Sequence, residues 1–184
     1  MKIMGNIGYK IGVILLLSCV LYIYIANIGV VRSYVEQPKG NMPVGEIVKG
    51  MRVEQTFWSD KSNISGFSVK LGTYARINQS TITFILQEDS GKVIYKNTVK
   101  ADGLSDNAYY KVRFPPVKNS KNKEYHLILE TKDASPGNAI TAYSSQEDIY
   151  KGGILLIDGK KSSADLVFEI VFNDTFLQRS LFFL

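Results

Sequence analysis

Residues 67–71, Phe-Ser-Val-Lys-Leu, and residues 82–86, Ile-Thr-Phe-Ile-Leu, decide the fold. Phe67, Val69 and Leu71 alternate with Ser68 and Lys70, and Ile82, Phe84 and Leu86 form a second such set. Side chains of a strand point alternately to its two faces, so a period of two gives one apolar face to bury and one wetter face. The pattern recurs along the chain: Tyr110, Val112 and Phe114 interleaved with Lys111 and Arg113, then Tyr125, Leu127 and Leu129, then Leu166, Phe168, Ile170 and Phe172. Turn clusters separate the runs at Asp89-Ser90-Gly91, Asp102-Gly103, Pro115-Pro116, Ser135-Pro136-Gly137-Asn138, Gly152-Gly153 and Asp158-Gly159. Strands of roughly five to nine residues, about eight or nine of them between residues 45 and 174, predict an all-β sandwich or barrel. That length suffices for a core without disulfides or metal.

Ahead of this domain, Ile11 to Val31 reads IGVILLLSCVLYIYIANIGVV, twenty-one positions without a charge. A helix of that length crosses a hydrocarbon core of roughly 30 Å. The run is too long for a cleaved signal, whose apolar part spans about 7 to 15 residues, and no Ala-x-Ala stretch follows it. Leu16-Leu17-Ser18-Cys19 loosely matches a lipidation pattern, but about a dozen further, mostly apolar residues follow Cys19. Cys19 is therefore read as a small apolar residue within a helix. The expected organisation is a cytoplasmic leader over 1–10, a transmembrane signal anchor over 11–31, a juxtamembrane spacer over 32–44, the β-sandwich over 45–174 and an apolar tail over 175–184. The N-terminal flank carries Lys2 and Lys10 against Arg32 and Lys39 beyond the run, a slight lean toward an inside N-terminus by the positive-inside rule. With Cys19 the sole cysteine, the domain has no internal disulfide, which suits a bacterial surface protein better than a small secreted animal domain.

The net charge of +5 is concentrated near the anchor. Residues 1–44 hold four Lys or Arg against one acid, whereas residues 45–174 hold seventeen against sixteen. The surplus can meet anionic headgroups, and the nearly neutral domain lacks the basic stripe that phosphate backbones require. No nucleic-acid partner is expected.

His126 is the only histidine, and alternation puts it on the face opposite Tyr125 and Leu127, in a structural and partly exposed place. A three-histidine metal site is ruled out by composition, and no nucleophile-elbow motif accompanies His126. The expectation is a domain without catalysis, cofactor or metal. Asp165 or Glu169 with loop carbonyls has the oxygen donors that calcium takes, and nothing beyond composition supports a site there. The polar residues that stand out lie at turns: Tyr74, Arg76 and Asn78 in Thr73-Tyr-Ala-Arg-Ile-Asn78, Asp106, Asn107 and Tyr109 before a strand, and Asn138 after Gly137. Amides and carboxylates bind vicinal hydroxyls and rings cover the apolar face of a pyranose, so these seven are the candidate carbohydrate-binding residues. The competing reading makes Asp106 and Asn107 turn and cap residues, with Tyr74 and Tyr109 filling the rim. Trp58, Tyr143 and Tyr150 are a further candidate stacking platform.

The elements Gln55-Thr56-Phe57, Thr73-Tyr74-Ala75-Arg76-x-Asn78, Leu104-Ser105-Asp106-Asn107, Phe114-x-Pro116, Gly137-Asn138-Ala139, Gly152-Gly153 and Asp165-Leu166-x-Phe168 cover nearly all of the domain. In order and spacing the chain resembles the extracytoplasmic jelly-roll modules, akin to galactose-binding-like domains, attached to bacterial membrane glycosyltransferases and other proteins of surface-polysaccharide assembly. The resemblance implies an antiparallel jelly-roll-like β-sandwich acting as an accessory domain that contacts glycan or a neighbouring membrane glycosyltransferase. This chain contains no transferase domain or multi-span body, so transferase activity is not carried over. The expected role is a membrane-anchored extracytoplasmic sandwich that binds carbohydrate at the bacterial cell envelope. The alternative is a docking module for an envelope partner, standing alone or as a piece of a larger multi-span protein.

Overall fold

The computed structural model describes residues 2–176. The chain divides into two compact units, Met1–Arg32 with Asn173–Leu184, and Ser33–Phe172. In the first, helix α1 (Lys2–Asn27) contains the stretch Ile7–Ala26, which is long and apolar enough to cross a membrane. Leu15, Leu16, Leu17, Val20 and Leu21 are exposed, so its apolar surface is not confined to one stripe.

The helix boundaries differ from the sequence reading at both ends. Residues 2–10, read as a leader, are helical, and the apolar run leaves the helix before its last residues. The amide of Ile28 still bonds Tyr24 O at 2.9 Å, and strand β1 (Gly29–Gln37) begins one residue later. Gly29 is a poor helix former, and a Cβ there would lie 2.5 Å from Asp174 O, so the close backbone approach needs glycine. The stretch read as a spacer over 32–44 carries most of β1 and all of β2 (Met42–Pro43). Sheet pairing there outweighs a weak local pattern: Val35 and Gln37 are buried, and Pro43 sits where the short β2 pairs only with one neighbour. In the expected tail Thr175 ends the last strand and Phe176 donates its amide to Ile28 O at 3.3 Å; residues 177–184 lie outside the described residues.

The second unit is an antiparallel β-sandwich. Its remaining strands are β3 (Arg52–Ser59), β4 (Ile64–Gly72), β5 (Thr81–Glu88), β6 (Val93–Lys100), β7 (Ala108–Val117), β8 (Lys123–Glu130), β9 (Thr141–Ser144), β10 (Leu155–Ile157), β11 (Lys160–Lys161) and β12 (Phe168–Thr175). One sheet runs β1-β12-β4-β9-β2, with β7 also paired to β4; the other runs β11-β10-β3-β8-β5-β6. The eight longer strands from β3 to β12 match the expected number, and the short β10–β11 hairpin adds two more around Asp158 and Gly159, both at positive φ.

Alternation delivers the core as the sequence pattern requires. Phe67, Val69 and Leu71 of β4 meet Ile82, Phe84 and Leu86 of β5, all buried. Aromatic contacts join the sheets: Phe84 stacks on Tyr110 with centroids 4.4 Å apart, and Phe57 lies 6.3 Å from Phe168. Each such ring is worth about 1.5–3 kcal/mol in burial alone.

Pro115-Pro116, read as a turn, lies inside β7. Among the named strands β7 pairs only with β4, and the register shifts between Ile64 and Gly66 opposite the prolines, so ladder donors are not required there.

Tyr125 is fully buried against Phe57, and its hydroxyl has no hydrogen-bond partner. Burial, then the charge of Glu88, pushes its pKa up to about 12. Tyr125→Phe should therefore raise the unfolding free energy of the detergent-solubilised chain by about 1 kcal/mol in denaturant titration. A loss of similar size would show that the hydroxyl is hydrogen-bonded in solution.

Candidate functional site

The candidate residues gather at the end of the sandwich where β4 stops. After Gly72 the chain reverses through Tyr74 and Ala75, both left-handed with φ of 59° and 54°. Each such residue without glycine costs of order 1–2 kcal/mol, so something must hold the turn. The Asp106 carboxylate does: it accepts the amide of Thr73, the Thr73 hydroxyl at 3.2 Å and the amides of Tyr74 and Ala75. Successive amides turned to one carboxylate form an anion-binding concavity filled from within the chain. The Thr73 amide first, then the other donors, holds the Asp106 carboxyl below the usual range.

Arg76 and Asn78 extend this network inward. Asn78 is fully buried and donates to Thr73 O at 3.1 Å, while its Oδ1 accepts Arg76 Nε at 3.1 Å. Arg76 Nη2 donates to Ala139 O at 3.0 Å and to Glu46 Oε1. Glu46 accepts the Gly137 amide at 3.1 Å on both oxygens, and the Arg76 hydrogen bond, then this amide, lowers its pKa. Asn138 Oδ1 accepts the amide of Gln79 at 2.6 Å. Arg76, Asn78, Asp106 and Asn138 thus tie three loops together.

The rings at this end remain outward. Tyr74 is 41% exposed under the Arg76 guanidinium, whose Cζ lies 4.9 Å from the ring centroid. Tyr109 is 40% exposed on β7 and pairs across the ladder with Lys70. Lys70 Nζ lies 5.0 Å from the centroid of Tyr143, whose ring lies so close to Gly72 that a Cβ there would come within 3.0 Å. Burial first, then Asp106 and Tyr74, raises the Tyr143 pKa. Asn107 is exposed at a φ of 50°. A cleft of about 190 Å³ lies next to Tyr109, lined by Leu71, Leu104, Ser105 and Lys111 among others.

The structure therefore brings Tyr74, Arg76, Asn78, Asp106, Asn107, Tyr109 and Asn138 to one end but divides their work between internal bonding and outward display. Glu46 and Lys70 escaped sequence reasoning because neither belongs to a turn motif; Glu46 meets Arg76, and Lys70 meets the Tyr143 ring, across segments far apart in the chain. Trp58, Tyr143 and Tyr150 do not form one platform. Alternation puts Trp58 on the outer face of one sheet and Tyr143 on that of the other, and Tyr150 packs edge-on against core Phe168.

Asp165 Oδ2 accepts the amides of Ile149 and Tyr150 at 2.7 and 2.8 Å, and its Oδ1 faces Gln55 Nε2 at 3.3 Å. It caps a loop, while Glu169 accepts the Ser68 hydroxyl on the outer face. His126 is 15% exposed between Glu54 and Asp89, its two ring nitrogens 2.5 and 3.2 Å from their carboxylates.

No family model matches the chain, and no curated protein matches it. Among solved structures, a mutant of xylanase 10C from Cellvibrio japonicus in complex with xylopentaose aligns at 6% identity over 69% of this chain and 22% of that one, with a TM-score of 0.27. This chain spans about a fifth of that structure's length, and a likeness at that TM-score carries no argument about ligand or activity.

Asp106 and Glu46 have lowered pKa values, so their contribution to loop order is present above the usual carboxylate range and is lost as pH falls through their folded values. Amide exchange at Thr73 and Gly137, corrected for intrinsic rates, should hold steady from neutral pH to about 4.5 and quicken below it. In Asp106→Asn the Thr73 amide should exchange faster already at neutral pH. An unchanged Thr73 rate in that variant would remove the carboxylate from its role.

Proposed function

We propose that this chain is a membrane-anchored β-sandwich that binds carbohydrate, without catalysis, through the tyrosine-bearing end of the domain. Helix α1 crosses the membrane with the N-terminus in the cytoplasm, and the sandwich lies outside, at the bacterial cell envelope. The observation that carries the reading is the pair of half-exposed rings, Tyr74 and Tyr109, on supports that are already rigid. Tyr74 sits in a turn held by Asp106, and Tyr109 stands on a paired strand, so little conformational freedom is lost when a ligand covers them. Their faces suit the apolar side of a sugar ring. The jelly-roll accessory modules that the sequence resembles support the same role. Neither nucleic acid nor a cofactor has a part in it.

One observation favours a second reading, a docking module for a membrane glycosyltransferase or another envelope partner. Ile77 is 77% exposed in a loop whose polar side chains are bonded internally, which makes it a rigid apolar knob.

A glycan array probed with the full chain in nanodiscs tests the first reading. Tyr74→Ala and Tyr109→Ala should each weaken binding by about tenfold, with circular dichroism unchanged. A blank array from folded protein would discard carbohydrate binding in favour of docking. Protease added to intact spheroplasts should remove the sandwich; full protection would reverse the topology.

A further inference from the structure

The outer face beside Tyr109 carries two lysines, Lys70 on β4 and Lys111 on β7. Of the seven polar and aromatic candidates, Asn78 and Asp106 are spent on internal bonds, and Asn138 gives its Oδ1 to the amide of Gln79. On the sheet face, the ammonium groups of Lys70 and Lys111 donate and never accept. Lys111 lies opposite Ser68, and Lys70 opposite Tyr109, so the two lysines are diagonal neighbours, roughly 7–8 Å apart along the β4–β7 ladder. Among the described residues neither lysine pairs with a carboxylate. Lys70 rests over the Tyr143 ring, which holds the ammonium in place without neutralising it. Lys111 lines the 190 Å³ cleft with Tyr109 and Ser105. The acids nearest Tyr109 are Glu169, which accepts the Ser68 hydroxyl at 2.8 Å, and Glu36 on β1; after burial, their charges raise the Tyr109 pKa.

We infer that the saccharide bound at this end is acidic, its carboxylate or phosphate received between Lys70 and Lys111 while a sugar ring covers Tyr109. The inference rests on the carbohydrate reading and narrows its substrate class. A neutral saccharide can accept from these ammonium groups through its hydroxyls but leaves both charges uncompensated. An anionic one adds the opposite charge, and its hydrogen bonds to the two ammonium groups are charge-assisted.

The test uses the full chain in phosphatidylcholine nanodiscs, whose lipid carries no net charge. Four probes are compared: oligogalacturonate, its full methyl ester, phosphomannan and unphosphorylated mannan. At least one acidic probe should bind at least tenfold more tightly than its neutral counterpart, with affinity falling as salt rises. Lys70→Gln with Lys111→Gln should abolish that preference, whereas Lys70→Arg with Lys111→Arg, which keeps both charges, should retain it. Equal binding of acidic and neutral forms would overturn the inference and leave the carbohydrate reading standing. Binding of none of the probes, together with a blank array, would overturn both. An acidic preference that survives in a folded double glutamine variant would overturn the placement of the anion between these lysines.

Discussion

Everything in the domain depends on the burial of two apolar sheet faces against each other. Phe67 of β4 and Phe84 of β5 approach to 6.3 Å between ring centroids, and Tyr110 stacks on Phe84 from the first sheet. Rings are the least forgiving core residues to displace, because each one touches both sheets and its loss leaves a cavity. They fix the register, since a slip by one residue would turn Lys70 and Lys111 inward and Val69 and Val112 to water. The cationic face and the aromatic core are therefore two sides of one alternation.

The rim follows from that register. β4 must end at Gly72, where the Tyr143 ring closes on the backbone, and the chain must reverse at once. Two left-handed residues without glycine make the reversal, and a carboxylate from the segment before β7 stabilises it. The same logic pairs Arg76 with Glu46 and Asn138 with the Gln79 amide. Polar groups that a sugar could use are thereby spent on order, and order is what the exposed rings need. A ring that is already immobile contributes more of its contact energy to a ligand.

The sandwich itself was legible in the sequence because burial on one face imposes a period of two, visible without knowledge of partners. Residues 45–174 carry that signature in five separate runs, and all five became paired strands or strand edges. Pro115-Pro116 misled because proline usually ends a strand; here a weakly paired edge and an irregular register tolerate it. The stretch 29–44 misled for the opposite reason. Its strands are short of local pattern and exist through pairing with β12 and β9, which are about a hundred residues or more away in sequence.

At the candidate site the sequence by itself determined which chemistry was at hand: tyrosines, amides, carboxylates and cations clustered near turns, and an N-terminal helix apolar enough to span a membrane. Those facts are local, set by residue type and spacing. Only the tertiary structure decided which groups bind one another and which face outward. Asp106 meets Thr73, and Glu46 meets Arg76, across thirty-three and thirty positions of chain. Such contacts depend on how the loops converge once the two sheets have packed, and no local pattern encodes that convergence.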